Sequence, residues 1–385
     1  MAQPKTAPPE TAEALADMLA RAASDRKTIE LGGNFTKRAG AGPIARSDVT
    51  VSTAGLDRVL AYEPRDLTIS VEAGITYAEL SRVLAPNRQM IPLDPPFSEK
   101  ATIGGIVASN SSGPRRRLFG TARDMVIGMK FATLEGKLIQ SGGMVVKNVA
   151  GLDMAKLMIG SWGTLAAITS VNFKLVPIPA VERTMLLGVD SPAAAFEIRD
   201  QLLRSVLQPS AVDFISLRAA AELGLKKALL AVEFGGNPAV IERSRRQMEK
   251  WCEAVELNEE EAALFWSRIH NFTPKFLETF GGGVMLRIST TLSGMCETIE
   301  SLDGPVIARA ASGVIYAYFS FPSSASKWMA TNPKWTSVME YSPATAKERL
   351  PLWPSPGGEI EMMKRVKEMF DPPNLLNRGR YYRHF

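Results

Sequence analysis

Glycine is concentrated in three stretches in the first half of this 385-residue chain. The first stretch is Gly32-Gly33-Asn34-Phe35-Thr36-Lys37, directly after a strand-like segment at residues 27–31. Glycine adopts positive φ without a steric penalty, and consecutive backbone N–H groups in such a loop converge on an anion. The stretch is therefore suited to bind a pyrophosphate, and the alternative is a simple turn.

The second stretch covers residues 95–113 and combines the pair Gly104-Gly105 with several serines, Thr102 and Asn110. These residues offer backbone N–H and hydroxyl donors at close range, without bulk that would block a flat ligand. A tightly packed helix start explains the paired glycines, but it does not explain the polar run that follows them.

The third stretch contains Gly142-Gly143, Gly151, Gly160 and Gly163 around a short predicted helix. Lys147 and Asn148, between these glycines, either face a ligand or lie in a solvated turn. No stretch matches the G-x-G-x-x-G or G-x-x-x-x-G-K-[ST] fingerprints, so Rossmann and P-loop sites are disfavoured. The chain also lacks the G-x-S-x-G and H-E-x-x-H motifs.

Cysteine and histidine are scarce in this chain. Cys252 and Cys296 are the two cysteines, and His270 and His384 are the two histidines. This count excludes a four-cysteine zinc site and an iron–sulfur cluster held by this chain alone. A histidine-rich metal centre is excluded as well, so we predict no metal site. His270 follows a core-like apolar helix and is read as structural, and we assign no catalytic residue.

The charge pattern favours an anionic small ligand over nucleic acid. The net charge is +5 and the isoelectric point is about 9.1, but 45 basic residues are interspersed with 40 acidic ones. The one dense basic run is Arg115-Arg116-Arg117. This run either docks a partner, neutralises a carboxylate or phosphate, or is a solvated loop.

The elements that position the glycine-rich stretches follow from hydrophobic periodicity and from proline and glycine punctuation. In the first half we predict helices at residues 11–24, 76–84, 102–109 and 152–159. We predict strands at residues 27–31, 49–51, 67–72 and 164–175, and a hairpin at 125–140. The segment Pro177-Ile178-Pro179 marks the clearest domain boundary.

Beyond this boundary strands and helices alternate, and glycine becomes sparser. The pattern predicts an α+β layer of antiparallel strands with helices on one face. The predicted strands lie at residues 184–189, 211–217, 229–234, 284–289, 306–310 and 314–319, and the predicted helices at 192–207, 238–255, 294–302 and 323–331. A proline-rich linker at 342–356, a helix at 359–370 and a basic, aromatic tail follow.

The N-terminal ten residues are polar and proline-rich and contain no apolar core of a secretory signal. No uninterrupted apolar stretch reaches about 20 residues, so we predict no transmembrane helix. The expected location is the cytoplasm, with contact to the inner membrane only through a complex.

Taken in order, these stretches resemble the FAD-binding domain of the vanillyl-alcohol oxidase/PCMH flavoprotein superfamily, and within it the FAD-binding E subunit of bacterial glycolate oxidase. The resemblance covers residues 10–180 and the C-terminal residues 376–380. The motifs that carry it are Leu31-Gly32-Gly33-Asn34, Val71-Glu72-Ala73-Gly74, Gln89-Met90-Ile91-Pro92, Ala101-Thr102-Ile103-Gly104-Gly105, Ser112-Gly113-Pro114-Arg115-Arg116, Arg123-Asp124, residues 147–153, Gly160-Ser161-Trp162-Gly163 and Leu376-Asn377-Arg378-Gly379-Arg380.

The resemblance implies a PCMH-type domain of two α+β subdomains that enclose FAD, followed by an α+β cap domain with an antiparallel sheet. We expect the FAD-binding domain at residues 1–179, the cap for substrate or partner at 180–341, and a returning linker, helix and tail at 342–385. The residues it implies for cofactor binding are Gly32, Gly33, Asn34, Phe35, Thr36, Lys37, Pro95, Thr102, Gly104, Gly105, Ser109, Asn110, Asp124, Val126, Gly163, Ile168 and Asn377.

Many relatives attach the flavin covalently through a histidine or a cysteine of the N-terminal domain. This chain has neither residue before Cys252, so the FAD is expected to be noncovalent. Oxidation of a 2-hydroxy acid needs a base for the hydroxyl proton as well as a flavin for the hydride. With two histidines available, the chain is poorly equipped to supply that base.

Three hypotheses follow. The first is an FAD-binding subunit of a glycolate oxidase complex, which works with a catalytic flavin subunit of the D type and an iron–sulfur subunit to oxidise glycolate or a similar 2-hydroxy acid to glyoxylate or its analogue. The second is a self-sufficient FAD-dependent dehydrogenase of 2-hydroxy acids or alcohols. The third is an assembly module that has lost the flavin. The scarcity of histidine favours the first over the second, and the intact glycine stretches favour it over the third.

Overall fold

The computed structural model describes residues 8–43, 46–144 and 152–382. The chain divides into two compact units. Unit 1 comprises the chain up to Ser112, Gly120–Ile178 and the chain from Ser355 onward, and unit 2 comprises Gly113–Phe119 and Pro179–Pro354. The chain passes from unit 1 to unit 2 between Ile178 and Pro179.

The helices of the described residues, in chain order, are α1 (Ala12–Ser24), α2 (Tyr77–Leu84), α3 (Ile103–Ser109), α4 (Arg116–Phe119), α5 (Ala122–Met125), α6 (Ala155–Met158), α7 (Pro192–Arg204), α8 (Leu217–Glu222), α9 (Pro238–Met248), α10 (Glu259–His270), α11 (Phe272–Thr279), α12 (Met295–Glu300), α13 (Pro322–Thr331), α14 (Ala344–Lys347) and α15 (Glu359–Phe370).

The strands are β1 (Ile29–Gly32), β2 (Val49–Ser52), β3 (Val59–Glu63), β4 (Thr68–Glu72), β5 (Gln89–Met90), β6 (Val126–Ala132), β7 (Leu138–Gly142), β8 (Ala167–Lys174), β9 (Val176–Pro177), β10 (Val181–Val189), β11 (Ala211–Ile215), β12 (Ala228–Gly236), β13 (Val255–Leu257), β14 (Val284–Ser289), β15 (Val306–Arg309), β16 (Val314–Phe319) and β17 (Thr336–Tyr341).

Unit 1 contains a five-stranded antiparallel sheet in the order β3-β4-β8-β6-β7 and the parallel pair β1-β2. Helix α1 begins at the N-cap Thr11, whose hydroxyl accepts from the Ala14 N–H, and it buries Leu15 and Leu19. Leu375 and Leu376 of the C-terminal segment lie in the same hydrophobic cluster as these leucines. The tail is therefore part of the core of unit 1.

Unit 2 is built on an eight-stranded antiparallel sheet in the order β13-β10-β12-β11-β15-β16-β14-β17. Alternate residues of its strands, such as Leu187, Val232 and Leu286, point to one face and join residues of α7, α9, α12 and α13 in a continuous apolar core. The period of two residues along each strand produces this separation of faces.

The second face of this sheet is also covered, which corrects the prediction of helices on one face only. The indole N–H of Trp266 in α10 donates to the Thr184 hydroxyl of β10 at 2.8 Å. The rings of Phe272 and Phe276 in α11 pack on Tyr318 of β16, with centroids 4.8 and 5.1 Å apart. The sequence did not indicate that this face of the sheet is buried, because the face carries polar side chains. These side chains make their hydrogen bonds to residues that are distant in the chain.

The α+β class is confirmed, and several element boundaries move. Strands β3, β13 and β17 and helices α8 and α11 were not predicted. The predicted linker at 342–356 packs against unit 2, since Leu352 is buried and its carbonyl accepts from the Met339 N–H at 2.8 Å. Proline indicated an irregular chain there, but irregular backbone does not exclude burial.

Within the described part of the chain, no helix is long and apolar enough to cross a bilayer. Among the same residues, no group of three or more histidine, cysteine, aspartate or glutamate side chains is arranged to hold a metal ion.

Candidate functional site

A cleft in unit 1 gathers residues that are far apart in the sequence. It encloses about 680 Å³ of space between protein atoms, part of it open to solvent. Its walls come from the end of β1 and the loop after it, from α3, from residues 162–168 and from the tail. The three glycine-rich stretches and the C-terminal motif therefore contribute to one site.

The loop after β1 is held by hydrogen bonds from neighbouring segments. The Gly32 carbonyl accepts from the Thr53 N–H at 2.8 Å, and the Gly33 carbonyl accepts from the Ser52 hydroxyl at 3.0 Å. The amide of Asn34 donates to the Lys100 carbonyl at 2.9 Å. These three hydrogen bonds use the carbonyls of Gly32 and Gly33 and the side chain of Asn34. None of the three uses the backbone N–H of Gly33 or Asn34.

Gly33 lies against the start of α3. A Cβ atom on Gly33 would lie 2.1 Å from Oγ1 of Thr102, which is far inside van der Waals contact. Thr102 is the N-cap of α3, and its hydroxyl accepts from the Gly105 N–H at 3.4 Å. In the first turn of α3, Gly104 packs on Ala73, where a Cβ atom would lie 2.8 Å from the Ala73 Cβ. Glycine is therefore required where the loop, α3 and β4 converge.

The charged groups that line the cleft are cations. They are Lys37, Arg38 and Arg380, and no carboxylate or histidine occurs among the described lining residues. Lys37 is 7% exposed. Arg38 forms a bidentate ion pair with Glu30, and the hydrogen bonds to that carboxylate raise the pKa of the Arg38 guanidinium. The cleft therefore favours an anionic ligand such as a pyrophosphate.

Arg380 and Trp162 form one end of the cleft. The Arg380 guanidinium lies 5.6 Å from the centroid of the Trp162 ring and donates to the carbonyls of Arg38 and Gly40. Trp162 has φ of +53°, a left-handed conformation that turns its ring toward Gly40. The tail cation thus meets an aromatic ring from the third glycine-rich stretch.

Asn377 joins three of the segments that line the cleft. Its Oδ1 accepts from the Leu31 N–H at 2.7 Å, and its Nδ2 donates to the Leu31 and Trp162 carbonyls at 3.0 and 2.8 Å. Gly163 lies beside this amide, and a Cβ atom there would lie 2.8 Å from Nδ2. The Asn377 side chain is buried and continues the hydrogen bonding of β1.

Comparison with known families agrees with this site. Residues 5–142 match the family described as FAD binding domain, and residues 355–381 match the family described as FAD linked oxidases, C-terminal domain. Both segments line the cleft. Unit 1 carries an FAD-binding domain. The predicted cofactor, FAD, is thereby confirmed.

Among curated proteins, the chain is similar to glycolate oxidase subunits. It is 32% identical to the GlcE subunit of Escherichia coli over 193 residues, 50% of this chain and 55% of GlcE. It is 30% identical to the GlcD subunit of Bacillus subtilis (strain 168) over 206 residues, 51% of this chain and 44% of GlcD. The chain therefore spans about half the length of these relatives.

A third relative matches over more of the chain. The mitochondrial D-lactate dehydrogenase (cytochrome) of Arabidopsis thaliana is 26% identical over 374 residues, which are 87% of this chain and 65% of the dehydrogenase. The predicted resemblance to glycolate oxidase subunits is confirmed. The chain matches GlcD and GlcE at similar identity, so the comparison does not single out the E subunit.

Solved structures establish the fold. Alkyldihydroxyacetonephosphate synthase superposes with a TM-score of 0.75 at 18% identity, over 96% of this chain and 74% of the synthase. p-Cresol methylhydroxylase with substrate bound superposes with a TM-score of 0.74 at 16% identity, over 97% of this chain and 87% of the hydroxylase. The fold is the predicted PCMH-type α+β fold.

The residues of the FAD cleft fit this cofactor. Side chains are absent where Gly33 and Gly105 face the start of α3, so a phosphate can approach the backbone. Lys37 and Arg380 supply positive charge for the phosphates, whereas the charge of Arg38 is balanced by Glu30. Ala108, Ala166 and Ile168 supply apolar surface for a ring system.

Most of the seventeen residues predicted to bind the cofactor lie together in this cleft, and four do not. The lining residues among them are Gly32, Gly33, Asn34, Phe35, Thr36, Lys37, Thr102, Gly104, Gly105, Ser109, Gly163, Ile168 and Asn377.

The four predicted residues outside the lining have structural roles. The Asp124 carboxylate accepts from the Thr121 N–H at 2.8 Å and closes a capping box at α5. Asn110, with φ of +49°, ends α3, and Val126 begins β6 opposite Phe173. Pro95 is buried in the segment between β5 and α3. Their placement in the cleft therefore stays a prediction from resemblance.

Seven lining residues were not among those predicted to bind the cofactor, and three of these seven are bulky or charged and lie beside or within a quoted motif. Arg38 follows the first glycine loop, Trp162 lies inside the quoted Gly160–Gly163 motif, and Arg380 ends the C-terminal motif. Their bulk and charge did not fit the expectation of a cofactor site lined by glycine and small polar residues. The combination of a tail arginine with a glycine-flanked tryptophan is the pattern that would have indicated them.

Unit 2 contains a buried polar cluster on the second face of its sheet. Arg309 of β15 forms an ion pair with Asp213 of the adjacent β11, and the exposed fractions of these side chains are 9% and 1%. The Arg309 guanidinium lies 5.2 Å from the centroid of the Tyr316 ring. Burial raises the pKa of Tyr318, whose hydroxyl bonds to Thr273 at 2.8 Å. This cluster was not predicted.

The arginine run has a structural function for its first member. Arg115 Nε and Nη2 donate to the two carboxylate oxygens of Glu233 at 2.9 and 3.0 Å, and Nη2 also reaches Glu182 at 3.0 Å. Glu233 is buried, so Arg115 neutralises a carboxylate within unit 2. Of the alternatives considered for the arginine run, neutralisation of a carboxylate therefore applies to Arg115.

His270 ends α10 in unit 2, is half-buried and is not among the residues that line the FAD cleft. Lys147, Asn148 and His384, which were singled out in the sequence, lie outside the described residues.

Proposed function

We propose that this chain is the FAD-binding subunit of a complex that oxidises glycolate, or a similar small 2-hydroxy acid, to glyoxylate or the corresponding 2-oxo acid. The similarity to GlcE and GlcD over half of the chain supports the substrate class. The catalytic flavin subunit would oxidise the alcohol carbon, and FAD bound to this chain would carry the electrons onward. The electrons would then pass to an iron–sulfur partner.

The observation that carries this proposal is the composition of the FAD cleft. Its described lining residues include three cations and no aspartate, glutamate, histidine, cysteine or tyrosine. The chain is therefore equipped to bind and orient a dianionic cofactor, whereas removal of a hydroxyl proton needs a base. A catalytic flavin subunit of the D type would supply that base.

The cysteine and histidine content supports two further features of the proposal. No histidine or cysteine occurs among the first 251 residues, so FAD is held noncovalently by the glycine loop, Lys37 and Asn377. Two cysteines, Cys252 and Cys296, are too few for an iron–sulfur cluster, so the electron-accepting cluster belongs to a partner.

A self-sufficient FAD-dependent dehydrogenase of 2-hydroxy acids or alcohols is the second candidate. The match to the D-lactate dehydrogenase over 87% of the chain favours it.

The test begins with the purified chain alone. We expect absorption near ~450 nm from oxidised flavin, and we expect acid precipitation to release all of the flavin into the supernatant. We further expect no reduction of an artificial electron acceptor with glycolate or D-lactate until a D-type flavin subunit and an iron–sulfur subunit are added. Turnover by the chain alone would establish the second candidate instead.

A further inference from the structure

Lys367 in α15 is a buried lysine on the side of unit 1 where the tail joins the core. Its side chain is 5% exposed. Its ammonium donates to the Thr164 carbonyl at 2.7 Å, to Oδ2 of Asp371 at 2.5 Å and to the Leu376 carbonyl at 3.0 Å. All three N–H donors of the ammonium are therefore used, and none is directed to solvent.

Asp371 completes this network from the other side. Its side chain is fully buried, and it accepts from the Leu375 N–H at Oδ1 and from the Leu376 N–H at Oδ2, at 2.9 and 2.7 Å. The carboxylate thus fixes the two residues that precede Asn377. A buried ion pair of this kind is retained only when further hydrogen bonds compensate the desolvation of both charges.

The two chain segments that Lys367 connects both continue directly into the FAD cleft. Thr164 follows Gly163, and Leu376 precedes Asn377. Gly163 and Asn377 line the cleft and touch each other, and the Asn377 side chain is bonded to Leu31 and Trp162. One ammonium therefore connects two cleft walls through Thr164 and Leu376, which are 212 residues apart in sequence.

We propose that Lys367 and Asp371 are positioning residues for FAD binding, and that together they hold Asn377 and Gly163 in the arrangement that accepts the flavin. Neither residue lines the cleft, so they act through Asn377 and Gly163 and not by contact with the cofactor. The proposal rests on FAD occupying this cleft.

The experiment measures the dissociation constant of FAD by quenching of flavin fluorescence in the full chain. Lys367→Met removes the ammonium at similar side-chain length. We expect it to weaken FAD binding about tenfold or more. Lys364→Met is the matched control, because Lys364 lies on the same helix and pairs with Glu361 at the surface. We expect this control to bind FAD as tightly as the wild type.

A double variant separates positioning from stability. Lys367→Met combined with Asp371→Leu removes both charges and keeps the volume apolar, which commonly restores the stability of a buried ion pair. We expect the double variant to be more stable than Lys367→Met, in which the Asp371 charge stays buried without its partner, while FAD binding stays weak because the Leu375 and Leu376 N–H groups have lost their acceptor. Recovery of both properties together would show that the pair serves stability alone and would overturn the proposal.

A measurement on the wild type keeps the test independent of whether a variant folds. We expect FAD to slow hydrogen–deuterium exchange of the amides at residues 162–165 and 375–377. If the wild type binds FAD without protecting these amides, the positioning proposal is wrong and the assignment of the cofactor stands. If the wild type binds no FAD at all, both are wrong.

Discussion

Oγ1 of Thr102 occupies the space that a Cβ atom on Gly33 would need. The two residues belong to different glycine-rich stretches, and the hypothetical distance of 2.1 Å shows how closely the loop after β1 lies on the N-cap of α3. The FAD cleft depends on this approach, because the backbone of the loop forms its wall beside α3.

Gly33→Ala should therefore disrupt the cleft. Overpacking at such a contact costs about 1–3 kcal/mol and displaces the loop from α3. We expect FAD binding to weaken about tenfold or more, measured by flavin fluorescence. Gly281→Ala is the control, because a Cβ atom on Gly281 would meet no atom within 4 Å. Equal FAD affinity of both variants would contradict the role of Gly33.

Lys37→Met should weaken FAD binding through charge. Lys37 is nearly buried in the cleft wall, and a charge-assisted contact to a phosphate is lost with its ammonium. We expect the dissociation constant of FAD to rise about tenfold and to become less dependent on salt. Lys137→Met, at a side chain that is 70% exposed, should change neither property. An unchanged salt dependence in Lys37→Met would count against the prediction.

Arg309→Met should destabilise unit 2 and leave FAD binding in unit 1 intact. Removing one partner of a buried ion pair costs about 3–5 kcal/mol, because Asp213 then remains charged and desolvated. Chemical denaturation monitored by tryptophan fluorescence measures this loss, and the double variant Arg309→Met/Asp213→Leu should recover much of it. If the single variant is as stable as the wild type, Asp213 is not buried as a charge.

Alkylation of Cys252 should be slow at neutral pH and accelerate as the pH rises. Burial raises the pKa of its thiol to about 11, and the thiolate is the reactive form. In a Cys296→Ser background, we expect the rate with iodoacetamide to rise about tenfold per pH unit between pH 7 and pH 9.5. A rate that levels off below pH 9 would show that the thiol is not shielded.

The sequence predicted the parts of the site that depend on local backbone chemistry. Gly32, Gly33, Gly104 and Gly105 were identified because their residue types restrict what the backbone can do. Asn377 was identified through the resemblance alone, and the structure brings it to β1 by hydrogen bonds to Leu31.

The parts that could not be predicted depend on long-range pairing. Arg380 packs on Trp162 at one end of the cleft, Lys367 bonds to Thr164, and Asp213 pairs with Arg309 between neighbouring strands. Neither partner of such a pair carries a local pattern that indicates the other. The Asp124 carboxylate closes a capping box at its own helix, so its side chain has a local structural role, and the cofactor contact that the resemblance implies for this residue stays a prediction.

The return of the tail into unit 1 has a consequence for biosynthesis. Every residue of unit 2 is joined to the chain before Asn377 and Arg380. The FAD cleft lacks one wall until this later segment has been synthesised and has packed on unit 1. The segments of unit 1 that precede unit 2 in the chain therefore cannot complete the FAD cleft by themselves.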